Sequence, residues 1–366
     1  MHVLMTVDTV GGVWTYAIEL ARALRVHGYT ITFASMGAPL GREQREQVEA
    51  LPNVRVAESS FRLEWMESPW DDVRRAGEWL LELEARERPD VVHLNGYAHG
   101  ALPWSTPVVV VAHSCVLSWW RAVNGVDAPP AWARYRDAVR RGIERADLVV
   151  APSRAMLSAV LELYANPAAS EVIPNGRDPV RFSPGSKDSL VLTAGRLWDE
   201  AKNAAAVERI ALRLSWPVYV AGDASGPDGG ALGFSAAHHL GKLGERDLAA
   251  WMARAGIYAL PARYEPFGLS VLEAALAGCA LVLGDIPSLR EIWDDAALYV
   301  HPDDDEELRV AIESLVSDDG LRARFGWCAR RRACRYAPAR MAECYHDAYT
   351  RLVAREAACE EARCAS

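Results

Sequence analysis

Glu265 and Glu273 stand in the stretch Pro261-Ala-Arg-Tyr-Glu-Pro-Phe-Gly-Leu-Ser-Val-Leu-Glu-Ala-Ala-Leu-Ala-Gly278, one ahead of an apolar helical segment and one inside it. Glu273 is the only charged residue from Leu269 through Leu283. A carboxylate there is costly to bury unless hydrogen-bond donors engage it. A salt bridge to an arginine elsewhere would satisfy it. A ligand offering hydroxyls would do so too. Arg196 and Lys202 flank a second strand–loop–helix join, Gly195-Arg196-Leu197-Trp198-Asp199-Glu200-Ala201-Lys202-Asn203. Two cations at such a join suit an anion, and a helix start adds amide donors. Only three of the 40 basic residues are lysines, Lys187, Lys202 and Lys242. Lysine is a compact point charge for phosphate. Carboxylates for sugar hydroxyls beside cations for phosphate suit a nucleotide sugar.

The elements that must hold these residues read as alternating strands and helices. Gly256–Leu260 is a short buried strand and Leu269–Ala277 a helix stopped by Gly278, so Glu265 lies on the turn between them. In the N-terminal half, His2–Val7, Thr30–Ser35, Asp90–Leu94, Val108–Ala112, Leu148–Ala151 and Glu171–Ile173 read as strands. Val13–His27, Asp71–Arg86, Trp132–Arg145 and Arg154–Tyr164 read as helices, while Glu58–Pro69 fits neither pattern. In the C-terminal half, Ser189–Ala194, Pro217–Ala221 and Ala280–Leu283 read as strands. Pro287–Ile292, Leu308–Val316 and Met341–Ala358 read as helical, and Gly222–Pro227 as a turn. Such alternation predicts α/β architecture with parallel, doubly wound sheets, whose ligands bind at the carboxyl edge. Gly11 and Gly12 fall at one such edge, where glycine lets backbone approach an anion, and His113 directly follows the run Val108–Ala112. GxGxxG is absent, which disfavours a nicotinamide-dinucleotide domain.

The stretch Glu265-Pro266-Phe267-Gly268-Leu269…Glu273 resembles the Glu-x7-Glu signature of retaining glycosyltransferases of family 4. The resemblance extends through Gly11-Gly12, Ala112-His113-Ser114, the linker-like Pro174-Asn175-Gly176, Arg196, Lys202-Asn203 and His238–Leu243. It implies the GT-B arrangement: two Rossmann-like lobes with the ligand cleft between them. The lobes are expected at 1–183 and 184–336, with a helix in 337–366 returning to the first. By the same resemblance Gly11 and Gly12 face the donor diphosphate and Arg196 and Lys202 hold it. Glu265 contacts the donor sugar, with Phe267, Gly268 and Leu269 around it, and Glu273 the ribose. Lys242 and Leu243 pack at the base, and His113 lies beside the reacting sugar. His113, Arg196, Lys202 and Glu265 are the residues expected to serve catalysis. The implied reaction is transfer of a hexose, glucose from a UDP-linked donor being the first expectation, with retention and without a cofactor or metal. The alternatives are a GDP-mannose-dependent mannosyltransferase, a nucleotide-sugar epimerase and a non-catalytic sensor.

Composition narrows the setting. A length of 366 residues suits two domains, and a net charge of −9 argues against nucleic acid as a partner. No apolar run reaches membrane-spanning length and no basic leader opens the chain, so a cytoplasmic location is expected. Seven cysteines without framework spacing, five of them in Cys328–Cys364, read as reduced thiols. The arginines of Trp132–Arg145 read as a solvated face, with contact to anionic lipid as the alternative. His238-His239 reads as strand rather than metal ligand, and Asp303-Asp304-Asp305 as a helix start. The acceptor, whether glycan, lipid or small molecule, has no signature; Ser118–Arg121 and Asn124–Trp132 form an aromatic segment that could wall its site.

Overall fold

A computed structural model describes residues 1–164, 166–226 and 232–364; Pro227 of the expected turn lies outside them, as do the side chains of Cys359 and Cys364. The chain forms two compact units. The first holds Met1–Arg121, Val126–Gly176 and the long helix Pro338–Cys364, and the second holds Ala122–Gly125 and Arg177–Ala337. The chain changes unit between Gly176 and Arg177, ahead of the expected 183/184 boundary. Arg177 and Phe182 are both buried, and Phe182 packs in the second unit's apolar core.

The first unit is built on β1 (His2–Asp8), β2 (Thr30–Met36), β3 (Val54–Glu58), β4 (Val91–Leu94), β5 (Val108–Val111), β6 (Leu148–Ala151) and β7 (Ser170–Val172). They form one parallel sheet in the order β3-β2-β1-β4-β5-β6-β7. Valine-rich strands such as Val108–Val111 are buried at every position, as a sheet covered on both faces requires. One covering element is the helix Gly12–Leu24, whose Tyr16, Leu20 and Leu24 share a core with Met341, Tyr345 and Tyr349 of Pro338–Cys364. The unassigned Glu58–Pro69 segment is irregular except at Glu58, the last residue of β3. Its Glu64 accepts backbone N–H groups of Tyr97 (3.0 Å) and Ala98 (2.7 Å). In the helix Ala133–Arg145 the face carrying Arg134, Arg136 and Arg141 is exposed, and Arg140 pairs with Glu144 at 2.9 Å.

The second unit is built on β8 (Asp188–Ala194), β9 (Val218–Ala221), β10 (His238–His239), β11 (Ala255–Leu260), β12 (Ala280–Gly284) and β13 (Leu298–Val300). Its sheet is also parallel, in the order β10-β9-β8-β11-β12-β13. His238 and His239 are strand residues at its edge, exposed to solvent. Both sheets are doubly wound, as expected. Strand order reverses between β1 and β4 in one and between β8 and β11 in the other, and a doubly wound sheet opens its ligand crevice at such a switch point.

Candidate active site

Beyond β8 and β11, the two strands flanking the second unit's switch point, most of the expected donor residues converge. β8 delivers Arg196; the short 3₁₀ turn Glu200–Lys202 delivers Lys202; the turn after β11 delivers Glu265. Lys202 Nζ forms an ion pair with Glu265 Oε2, both side chains being largely shielded from solvent. The other oxygen, Glu265 Oε1, accepts the Gly268 N–H at 2.9 Å, with the Phe267 N–H at 3.4 Å. Ser288 Oγ donates to the Glu265 carbonyl at 2.5 Å. The carboxylate is therefore aimed by donors on both oxygens.

The backbone needed for this turn explains the glycine. Gly268 has φ 87° and immediately precedes the helix Leu269–Leu276; a Cβ there would stand 3.1 Å from Val271 Cγ2 and 3.4 Å from Glu265 Cγ. Phe267 is buried in the apolar core and Leu269 packs at its margin. Asn203, itself left-handed at φ 56°, knits the two loops by donating from Nδ2 to the carbonyls of Pro261 (3.0 Å) and Pro302 (2.6 Å). Arg263 N–H adds a bond to the Ala201 carbonyl at 2.8 Å.

Arg196 is more open than Lys202. Its Nη2 lies 3.0 Å from Asp199 Oδ2 and its guanidinium 5.6 Å from the centroid of Trp198. Asp199 Oδ1 accepts the Ala201 N–H at 3.0 Å, so the aspartate both caps the 3₁₀ turn and steadies the arginine. Lys242 is exposed on the loop between β10 and the helix Glu245–Arg254, and Leu243 packs against the core beside it. Lys187, the third lysine, has a structural task. Its Nζ donates to the Ala277 carbonyl at 2.7 Å, closing the end of the helix Leu269–Leu276, and to the Met252 carbonyl at 3.1 Å.

Glu273 is buried, and an arginine takes it. Arg177 Nε stands 2.7 Å from Glu273 Oε1, and Arg177 Nη2 donates to Glu245 Oε2 at 2.9 Å. The guanidinium also lies 4.8 Å from the Phe182 ring centroid. Burial pushes the Glu245 carboxyl up, but Arg177 and Arg181 outweigh it and hold the group below its usual range. Sequence reasoning left the arginine unnamed: Arg177 sits in a Pro-, Asn- and Gly-rich segment that reads as linker. A charged residue standing between glycine and the apolar Val180 and Phe182 was the available signal.

The acidic run at 303–305 is consumed by local structure. Asp304 Oδ1 accepts the N–H groups of Glu306 (3.0 Å) and Glu307 (2.9 Å), Asp303 pairs with Arg263, and Asp305 pairs with Arg209, both at 2.6 Å. No group of three or more His, Cys, Asp or Glu with metal-binding placement occurs among the described residues.

In the first unit, Gly11 and Gly12 follow β1 and His113 follows β5, on either side of β4. Gly11 has φ 85° and ψ −148°, a conformation open to glycine alone, and leads into the helix Gly12–Leu24. His113 packs edge-on against Tyr16 with centroids 4.5 Å apart and bonds through Nε2 to Asn95 Oδ1 at 2.7 Å. Burial, and then the neighbouring His93, push its pKa down to about 3, so the ring is neutral near pH 7. Asn95, which follows β4, was missed because a lone asparagine after a short strand carries no sequence signal.

Comparison with known proteins bears on the family and the fold. The model of Glycosyltransferase Family 4 matches residues 10–181, and that of Glycosyl transferases group 1 matches residues 232–332. The glycogen synthase of Mycobacterium tuberculosis is 28% identical over 369 residues, covering 88% of this chain and 86% of that protein. The D-inositol 3-phosphate glycosyltransferase of Xylanimonas cellulosilytica is 26% identical, covering 94% of each. Among solved structures, sucrose-phosphate synthase from Thermosynechococcus elongatus superposes with a TM-score of 0.82 at 18% identity, covering 97% of this chain and 99% of the other. Anabaena HepE in complex with UDP-glucose gives 0.78 at 17% identity, covering 96% and 100%. The structural matches establish the GT-B fold, and with the two family models spanning most of its length, the chain belongs to the family 4 glycosyltransferases.

Proposed function

We propose that the protein transfers glucose from UDP-glucose to an acceptor with retention of anomeric configuration, and that it does so without a metal or cofactor. The Lys202–Glu265 pair carries this reading. It sets a cation for phosphate and a carboxylate for sugar hydroxyls side by side at a switch point, with Arg196 nearby. Arg196 and Lys202 would offset the negative charge that builds on the leaving diphosphate, a role in which preorganised cations lower the barrier most. Glu265, aimed by Lys202 and by two backbone amides, would accept from hydroxyls of the hexose. Its engagement on both oxygens suits orientation better than nucleophilic attack, and the departing phosphate oxygen would take the acceptor's proton on the same face. Glu273, inside the helix that follows the Glu265 turn, would accept from the ribose hydroxyls. Gly11 and Gly12 would bring backbone toward the diphosphate. Glucose and UDP as the donor parts find support in the names of the similar proteins, a glycogen synthase and a structure holding UDP-glucose.

The test is a donor panel read by nucleotide release, with cell extract supplying acceptors and mass spectrometry reading products. UDP-glucose is expected to be consumed fastest, with an added-hexose product and undiminished turnover under EDTA. Preference for GDP-mannose would move the donor assignment to mannose. Conversion of the sugar nucleotide without any acceptor would indicate an epimerase. Loss under EDTA, restored by Mg²⁺ or Mn²⁺, would contradict metal independence.

A further inference from the structure

Two histidines of the first unit share one acceptor, and that fixes where the proton of His113 sits. Asn95 follows β4, between β1 and β5. Its backbone N–H donates to Thr6 Oγ1 at 2.8 Å and its Nδ2 donates to the Thr6 carbonyl at 2.6 Å. A carbonyl oxygen only accepts, so the amide nitrogen must face Thr6 and Oδ1 must face the other way. That Oδ1 lies 2.7 Å from His113 Nε2 and 3.2 Å from His93 Nε2. Because Oδ1 also only accepts, His113 must carry its proton on Nε2, whereas His93 Nε2 also lies 3.4 Å from the Tyr16 hydroxyl, which can donate or accept. His93 Nδ1 pairs with the Tyr349 hydroxyl at 2.6 Å. His113 Nδ1 is left as a bare lone pair.

We propose that Asn95 is a positioning residue for His113, holding it as the neutral Nε2–H tautomer so that Nδ1 accepts a hydroxyl of the transferred sugar. This rests on the reading of His113 as a donor-sugar contact. The surroundings keep the ring in this state. Tyr16 stands edge-on to His113, His93 is fully buried, and Tyr345 and Tyr349 from Pro338–Cys364 pack against His93 at centroid distances of 5.4 and 6.1 Å. A second proton on either imidazole would put a charge in this aromatic layer and forfeit the solvation it has in water. The tautomer also decides the sense of recognition. An Nδ1–H ring would donate to the sugar, whereas the Nε2–H ring accepts from a hydroxyl and disfavours an anionic group at that point.

Nitrogen-15 imidazole spectra of the full chain test the proton placement directly, with His113→Gln assigning the signals. The wild type is expected to show His113 protonated on Nε2 and bare on Nδ1 from about pH 8 down to about pH 6, although a free imidazole would be mostly doubly protonated at the acid end of that range. An Nδ1–H or imidazolium pattern overturns the proposal without any variant being needed. Asn95→Ala should mix the two tautomers and lower kcat/KM for UDP-glucose about tenfold, the worth of one hydrogen bond. Asn95→Asp keeps the acceptor but adds a negative charge. It should therefore draw a second proton onto His113 near neutral pH and recover activity as pH is raised. Wild-type spectra and turnover in Asn95→Ala would overturn the assignment. Undiminished turnover in His113→Ala would instead remove the sugar-contact reading on which it rests, leaving the wild-type spectrum to decide the proton's place.

Discussion

Lys202 and Glu265 hold each other at the mouth of the second unit's switch point, and Arg196 stands at the same edge on a side chain more than a third exposed. A residue that stabilises developing charge shows itself in turnover. Lys202→Ala and Arg196→Ala should each lower kcat roughly 10²-fold, with circular dichroism unchanged. Wild-type rates in both would remove them from the reaction. Two candidates were legible in the sequence because their types are rare in context: Glu273 is the one carboxylate in an apolar helix, and Lys202 is one of three lysines kept in an arginine-rich chain. Their partners were not legible. Arg177 reaches Glu273 across almost a hundred residues of sequence, and Asn95 reaches His113 across a strand boundary. Such pairings are set by sheet order, which a residue's own neighbourhood does not encode.

At the scale of elements, the turn after β11 depends on backbone as much as on side chains. Gly268 is left-handed, and alanine there should cost roughly 1–2 kcal/mol of stability. It should also shift the amides that aim Glu265, so kcat for the donor should fall by more than the stability loss alone would explain. Denaturant titration beside steady-state kinetics checks this, and an alanine variant matching wild type in both would mean the turn tolerates other geometries. The buried strands β1, β5, β6 and β11 were readable as apolar runs. The helix Arg42–Glu49 was not. It buries no residue, so no apolar periodicity marks it, and its start rests on the Gln44 side chain accepting the Gly41 N–H at 2.9 Å. The edge strand β3 escaped for a related reason, being partly exposed, whereas the two-residue edge strand β10 coincides with the histidine pair read as strand.

Across the whole molecule, each unit carries its own apolar core, and the first core encloses ionisable rings. Burial lowers the pKa of His93 to about 3, while an unfolded histidine titrates near 6.5. Between those values the unfolded chain binds the extra proton and the folded one does not. Stability is therefore full above about pH 6.5 and falls as pH drops toward 3, by about 2 kcal/mol for this ring at pH 5. Urea unfolding at pH 7 and pH 5 should show a smaller acid loss in His93→Gln than in wild type; equal losses would mean the ring is protonated in the native state. No helix among the described residues is long and apolar enough to cross a membrane. The central claim, that the carboxylate of Glu265 reads the sugar of a nucleotide sugar held by neighbouring cations, is tested most directly by calorimetry of UDP and UDP-glucose on wild type, Glu265→Ala and Glu273→Ala. Glu265→Ala should keep its affinity for UDP while losing about 1.5–3 kcal/mol toward UDP-glucose, and Glu273→Ala should lose a similar amount toward UDP itself. Loss of UDP affinity in Glu265→Ala with none in Glu273→Ala would reverse the two roles, and unchanged binding of both ligands in both variants would contradict the account.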